Sequence, residues 1–213
     1  MMTRHFEIKS SFLPVFLFTL LLLFAACKDN NYGNQGKNDV DSKEVAEDLN
    51  KPNSDVTKER DEKFLVNAAE ANFEEIMLSQ LAVERSANSD VKAFAQMLQD
   101  AHRKANTDLS ALASSKGIAV PTAATNNIIE KYDDLNQKNA KDFDQAYISK
   151  MVQAHKDVID DFEDYTGKDG DCNNCDQDIK IWAMGMLPDL RIHLNKAQTL
   201  EDQLKNQVSE LVR

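Results

Sequence analysis

The sequence predicts an all-α protein built as a four-helix bundle, and three observations carry that reading. Apolar residues recur at steps of three and four along four separate stretches between Asp61 and Leu204, the period of a helix with one buried face. No stretch shows the strict alternation of a half-buried strand. From Lys37 to Lys116 there is no glycine and Pro52 is the only proline, which leaves room for two long helices without a breaker.

The first helix is expected from Asp61 to Ser86. Leu65, Ala68, Asn72, Glu75, Ser79 and Ala82 share its inner face, which is mostly small and allows close helix approach, while Phe73, Ile76 and Val83 widen it. Asn88-Ser89-Asp90 is turn and cap chemistry. The second helix starts there and runs to Ser115, with Val91, Phe94, Ala95, Leu98, His102, Ala105, Leu109 and Leu112 on one stripe. Gly117 supplies the stop and Pro121 keeps the chain from resuming the helix. Thr122 to Asn139 is a connection with its own short helix around Asn127 to Gln137, and its length suits a crossover rather than a tight turn. The third helix is expected from Ala140 to Thr166, with Phe143, Tyr147, Met151, His155, Val158, Phe162 and Tyr165 inward. A loop from Gly167 to Asp176 holds Cys172 and Cys175. The fourth helix runs from Asp176 to Leu204 or beyond on the stripe Ile179, Trp182, Ala183, Met186, Leu190, His193, Leu194 and Ala197. Pro188 is expected to bend it, because proline removes the bond to the carbonyl of Met184.

The N-terminal third has a different character. Arg4 and Lys9 precede an apolar run from Phe12 to Phe24, and Ala25-Ala26-Cys27 follows, the layout of a secretory signal over residues 1–26. Small residues before a cysteine resemble a bacterial lipobox, which implies cleavage before Cys27 and its acylation. An uncleaved anchor is the alternative, but the apolar run is short beside the ~20 residues a spanning helix needs. Lys28 after the cysteine points to the outer membrane. Residues 27–60 read as a disordered acidic stalk, since their few apolar residues bury too little surface to offset ordering entropy, although Lys43 to Leu49 is compatible with a transient helix. Residues 61–213 then form one bundle domain. With 25 basic and 36 acidic residues and a net charge of −11, the chain has no basic stripe for nucleic acid. The expected membrane contact is the lipid on Cys27, and the sequence names no protein partner.

Spaced residues along the bundle resemble a known family. Glu75-Ile76, Leu81-Ala82, Val91-Lys92, Phe94-Ala95, Met97 to His102, Phe143-Asp144, Tyr147, Met151 to His155, and Leu187-Pro188 with His193-Leu194 resemble the bacterial domain-of-unknown-function family 4142. The resemblance covers Phe64 to Leu200 and implies a ferritin-like bundle and an exported protein. The family's usual Asp-His on the second helix is Ala101-His102 here, with Asp100 displaced by one. Because that family has no assigned activity, the resemblance bears on the fold and leaves function to the residues.

Glu75, His102, His155 and His193 are the candidate site, one on the inner face of each helix. Glu75 and His102 lie at matching depths, ~20 Å from the turn at Asn88. His155 and His193 disagree by about one helical turn relative to their own loop. Three imidazoles and a carboxylate suit one zinc, copper or iron ion. The competing reading is a buried polar network that fixes register. A di-iron centre needs Glu-x-x-His, whereas Gln99, Val152 and Leu190 stand three before the histidines. Cys172 and Cys175 lack the βαβ setting of a redox pair and further ligands for a zinc knuckle. In an oxidising envelope they are expected to form a local disulfide, which by chain entropy would contribute roughly 2 kcal/mol. Met77, Met97, Met151, Met184 and Met186 read as core filling rather than copper ligands. The function expected is a non-enzymatic binding or structural module, with a mononuclear metal-binding protein as the alternative.

Overall fold

The computed structural model describes residues 41–51, 56–167, 170–172 and 174–211. Its helices in order are α1 (Ser42–Asn50), α2 (Val56–Arg85), α3 (Ser89–Ser115), α4 (Asn126–Asn136), α5 (Ala140–Thr166) and α6 (Gln177–Leu211). Among the described residues there is no strand, and no helix is long and apolar enough to cross a membrane. The signal segment, Cys27 and the first part of the expected stalk lie outside the described residues.

The helices begin and end where local chemistry dictates. The Asn88 side chain accepts from the backbone N–H of Asp90 and Val91, at 2.9 and 3.2 Å, and starts α3. Asn139 does the same for α5, Thr125 for α4 and Asp176 for α6. At the end of α3, Ile118 N–H reaches Ala113 O at 2.9 Å and Gly117 N–H reaches Ser114 O at 3.1 Å. That pair of bonds is a Schellman motif, and it places Gly117 at φ 65°, where a side chain would be strained. Gly167 closes α5 at φ 78°, and a Cβ there would come within 3.1 Å of the Asp171 and Cys172 backbone. On α6 the helix continues through Pro188.

Two apolar clusters set the topology. One gathers Phe64, Leu65 and Ala69 of α2, Leu109 and Ala113 of α3, Ile159 and Phe162 of α5, and Ile179, Ala183 and Leu190 of α6. The other gathers Leu78 and Leu81, Phe94 and Leu98, Phe143, Tyr147 and Met151, and Ala197. The start of α2, the end of α3, the end of α5 and the start of α6 therefore share one end of the bundle. Sequential pairs α2–α3 and α5–α6 are antiparallel, and α3 and α5 run parallel, joined by the 116–139 connection that travels the length of the bundle. This is a four-helix bundle with a crossover between its second and third helices, the connectivity of ferritin-like folds. The connection is anchored by α4, whose Ile128 packs with Ala124 against Met77 of α2.

The expected stalk needs a correction: residues 42–50 form a helix docked on the domain, and α2 starts at Val56 rather than Asp61. The apolar residues of α1 do not explain the docking, since Val45 and Leu49 are exposed and only Ala46 is buried among them. Polar bonds do. Asn50 Nδ2 donates to Ala119 O at 3.0 Å while Asn50 Oδ1 accepts from Ala119 N–H at 2.9 Å. Lys43 Nζ reaches Asn67 Oδ1 at 3.0 Å and Glu70 Oε2 at 2.5 Å, and Asp41 Oδ2 accepts from Asn126 N–H at 2.6 Å. A reading based on apolar content is blind to such a clasp.

Candidate metal centre

Glu75, His102, His155 and His193 form a polar layer where the two apolar clusters meet. On each helix the residue lies between members of one cluster and members of the other: Ala69 and Leu78 on α2, Leu98 and Leu109 on α3, Val152 and Ile159 on α5, Leu190 and Ala197 on α6. The three imidazole centroids are 5.4, 5.6 and 5.7 Å apart, so the one-turn disagreement of His193 is absorbed and all three share a level. One nitrogen from each ring falls within 4.8 Å of the others. Glu75 stands to one side of the trio, with Oε1 at 3.1 Å from His155 Nδ1 and Oε2 at 3.9 Å from His102 Nε2. All four residues are buried, His155 and Glu75 essentially completely.

Neighbouring groups orient two of the rings. His102 Nδ1 lies 2.9 Å from Asn72 Oδ1, and His155 Nδ1 lies 3.0 Å from Met151 O. With an oxygen facing it, each Nδ1 carries the hydrogen, which leaves the lone pair of the neutral ring on Nε2, buried and without a hydrogen-bond partner in both rings. Such outer partners are the usual means of orienting a metal-ligating imidazole. Sequence reasoning placed Asn72 on the inner face but did not assign it this part; its position three residues before Glu75 was the signal. The same face carries Ser79, bonded to the Tyr147 hydroxyl at 2.9 Å.

The quartet does not satisfy itself. Both Glu75 oxygens, His102 Nε2, His155 Nε2 and His193 Nδ1 are buried without a hydrogen-bond partner. The 3.1 Å approach of Glu75 to His155 is an ion-pair contact outside hydrogen-bond geometry, because the Nδ1 hydrogen is directed at Met151 O. A group buried in this way costs ~1–3 kcal/mol when left unpaired. The donor set suits a borderline transition ion, which takes imidazole nitrogen and carboxylate oxygen at about 2.0–2.2 Å. Tetrahedral ligands at that distance are about 3.3 Å apart, so the rings would draw inward by side-chain motion to share one ion.

Burial is the largest influence on every member. It lowers His102, and it lowers His193 to about 4, with the neighbouring His102 and His155 adding to the effect. On His155 burial is outweighed by the Glu75 carboxylate, which raises the imidazole above its ordinary value. Burial alone would raise Glu75, but His155 and His102 together bring it below the usual carboxylate range. The cluster thus favours one carboxylate–imidazolium pair beside two neutral rings.

Two clefts reach the layer from opposite sides. One of about 360 Å³ lies between α2 and α5, touches Glu75 and carries Glu70, Glu74, Asp157 and Asp161 against Lys131 and Lys150. The other, about 210 Å³ between α3 and α6, touches His102 and His193.

At the far end of the bundle, Cys172 and Cys175 are joined as a disulfide, away from the histidines. That end is tied together by Asp61, which accepts from the Tyr165 hydroxyl at 2.6 Å and from Asp176 N–H. Arg60 Nη2 donates to the terminal carbonyls of α5, Asp164 O and Tyr165 O, both at 2.9 Å.

Fold and polar layer together define the class: a helical bundle with a buried imidazole–carboxylate centre, each member on a different helix. The chain belongs to the family described as domain of unknown function, DUF4142, whose model matches residues 46–200. No curated protein and no solved structure gives a match.

Proposed function

We propose that this chain is an exported, lipid-anchored envelope protein whose bundle binds a single transition-metal ion through His102, His155 and His193, with Glu75 as the fourth ligand. The observation that carries the reading is the set of five buried nitrogen and oxygen atoms left without hydrogen-bond partners in one layer. An ion gives them all a partner at once. Asn72 and the Met151 carbonyl act as the outer partners that hold His102 and His155 in ligating orientation. The lipobox-like run ending at Cys27 supports export and anchoring, with the lipid as the membrane contact.

A purely structural network is the second reading, favoured by the Asn72–His102 bond and the Glu75–His155 ion pair. Metal analysis separates the two. After reconstitution with zinc or copper and removal of excess, the metal reading expects close to one ion per chain. It also expects a higher melting temperature that a chelator reverses, since an ion that binds only the folded chain stabilises it by mass action. His102→Ala should lose that metal-dependent shift. Less than about a tenth of an ion per chain, with a melting temperature indifferent to metal, would leave the structural network standing.

A further inference from the structure

We infer that the ion keeps one exchangeable coordination position, opening between α3 and α6, and that this position takes a small monoanion such as hydroxide or azide. The inference rests on the metal reading above. Three features of the layer converge on it. First, the only negative ligand, Glu75, faces the α2–α5 cleft, whereas the α3–α6 pocket touches the layer through two imidazoles, His102 and His193. An anion arriving from that side passes Asp108 and Asp189 at the pocket wall but meets no carboxylate among the proposed ligands. Second, three neutral imidazoles and one carboxylate leave a divalent ion with one uncompensated positive charge in a buried layer. Low effective dielectric makes that charge costly, and a monoanion cancels it. Third, the pocket has room: its volume is about 210 Å³, and on the α3 side its wall beside His102 is formed by the small side chains of Ala101 and Ala105. A water molecule's share of liquid volume is about 30 Å³, so a ligand of a few heavy atoms fits without moving a helix.

The cleft on the opposite side makes a poorer anion route, since Glu70, Glu74, Asp157 and Asp161 outnumber Lys131 and Lys150 there before a ligand reaches Glu75. The α3–α6 mouth carries fewer acids, Asp108 and Asp189, with Lys104 paired to Asp108 at 2.6 Å.

The test uses the full chain loaded with cobalt(II) or copper(II), whose ligand-field spectra report changes in coordination, and titrates it with azide. A saturable spectral change is expected. Ala101→Leu narrows the pocket and should weaken azide at least about tenfold while metal stoichiometry is kept, because the bulkier side chain excludes the ligand rather than attracting it. Lys104→Glu, on the exposed face, leaves the fold intact and should weaken azide by about two- to fivefold through charge alone. One bound ion whose spectrum azide does not change would overturn the exchangeable position and leave the metal reading in place. So would azide binding unaffected by both variants, since the ligand would then enter elsewhere. Failure to bind any ion would instead overturn the metal reading itself.

Discussion

His193 shows how one buried side chain ties the stability of the metal-free protein to pH. In an unfolded chain its imidazole takes a proton near 6.5, and in the bundle only near about 4. Between those values the unfolded state holds more protons, so stability falls as pH is lowered from about 6.5 toward 4, then levels off. The difference corresponds to at most roughly 3 kcal/mol. His102, lowered by burial, acts in the same direction. His155 acts oppositely: raised through Glu75, its contribution is present below the unfolded value and lost as pH rises through the folded one. Glu75, lowered, contributes above its unfolded value and loses that contribution as pH falls through the folded one. His193→Gln should therefore flatten the decline of metal-free stability between about pH 6.5 and 4, measured by urea unfolding across that range. An unchanged slope would mean that His193 already carries its proton in the folded bundle.

Among the elements, α1 and α3 make a useful contrast. The length of α3 follows from its own chemistry: an Asn88 cap at one end, a Gly117 Schellman motif at the other, and an uninterrupted apolar stripe between. The position of α1 follows from its partners. Asn50, Lys43 and Asp41 hold it to Ala119, Asn67, Glu70 and Asn126, on the connection and on α2. Deleting residues 41–51 should then lower the stability of the chain by roughly 2–4 kcal/mol, a few hydrogen bonds' worth together with the burial of Ala46. Asn50→Ala alone should cost ~1–2 kcal/mol, because Ala119 loses partners on both its N–H and its carbonyl. Urea denaturation of the deletion and the point variant checks both. An unaltered midpoint for the deletion would mean that α1 docks without contributing to stability.

For the whole molecule, the bundle has two apolar halves and a polar layer between them, and the proposed anchor lies at the N-terminal side of the domain in sequence. Cys27→Ser should release the protein from the membrane fraction or leave it as uncleaved precursor, read by fractionation and by mass. The substitution lies far in sequence from residues 56–211, so the bundle should keep its melting temperature. A Cys27→Ser chain that is cleaved and remains membrane-bound would remove the lipid from the proposal.

The sequence by itself determined the four long helices, the Asn88 cap and Gly117 stop of the second, and the inward turn of Glu75, His102, His155 and His193, because helical period and capping are local properties of consecutive residues. The expected third helix, Ala140 to Thr166, coincides with α5. The crossover was legible for a similar reason, as the 122–139 connection is too long for a turn. Tertiary structure alone decided the rest. Whether His193 shares the level of His102 and His155 depends on how a loop distributes one helical turn, which no periodicity encodes. That His102 and His155 keep the lone pair on Nε2 depends on Asn72 and on a backbone carbonyl one turn away. The docking of α1 depends on polar groups distant in sequence that become partners only once the bundle exists, while the outward placement of Val45 and Leu49 withholds the apolar signal that would have announced it.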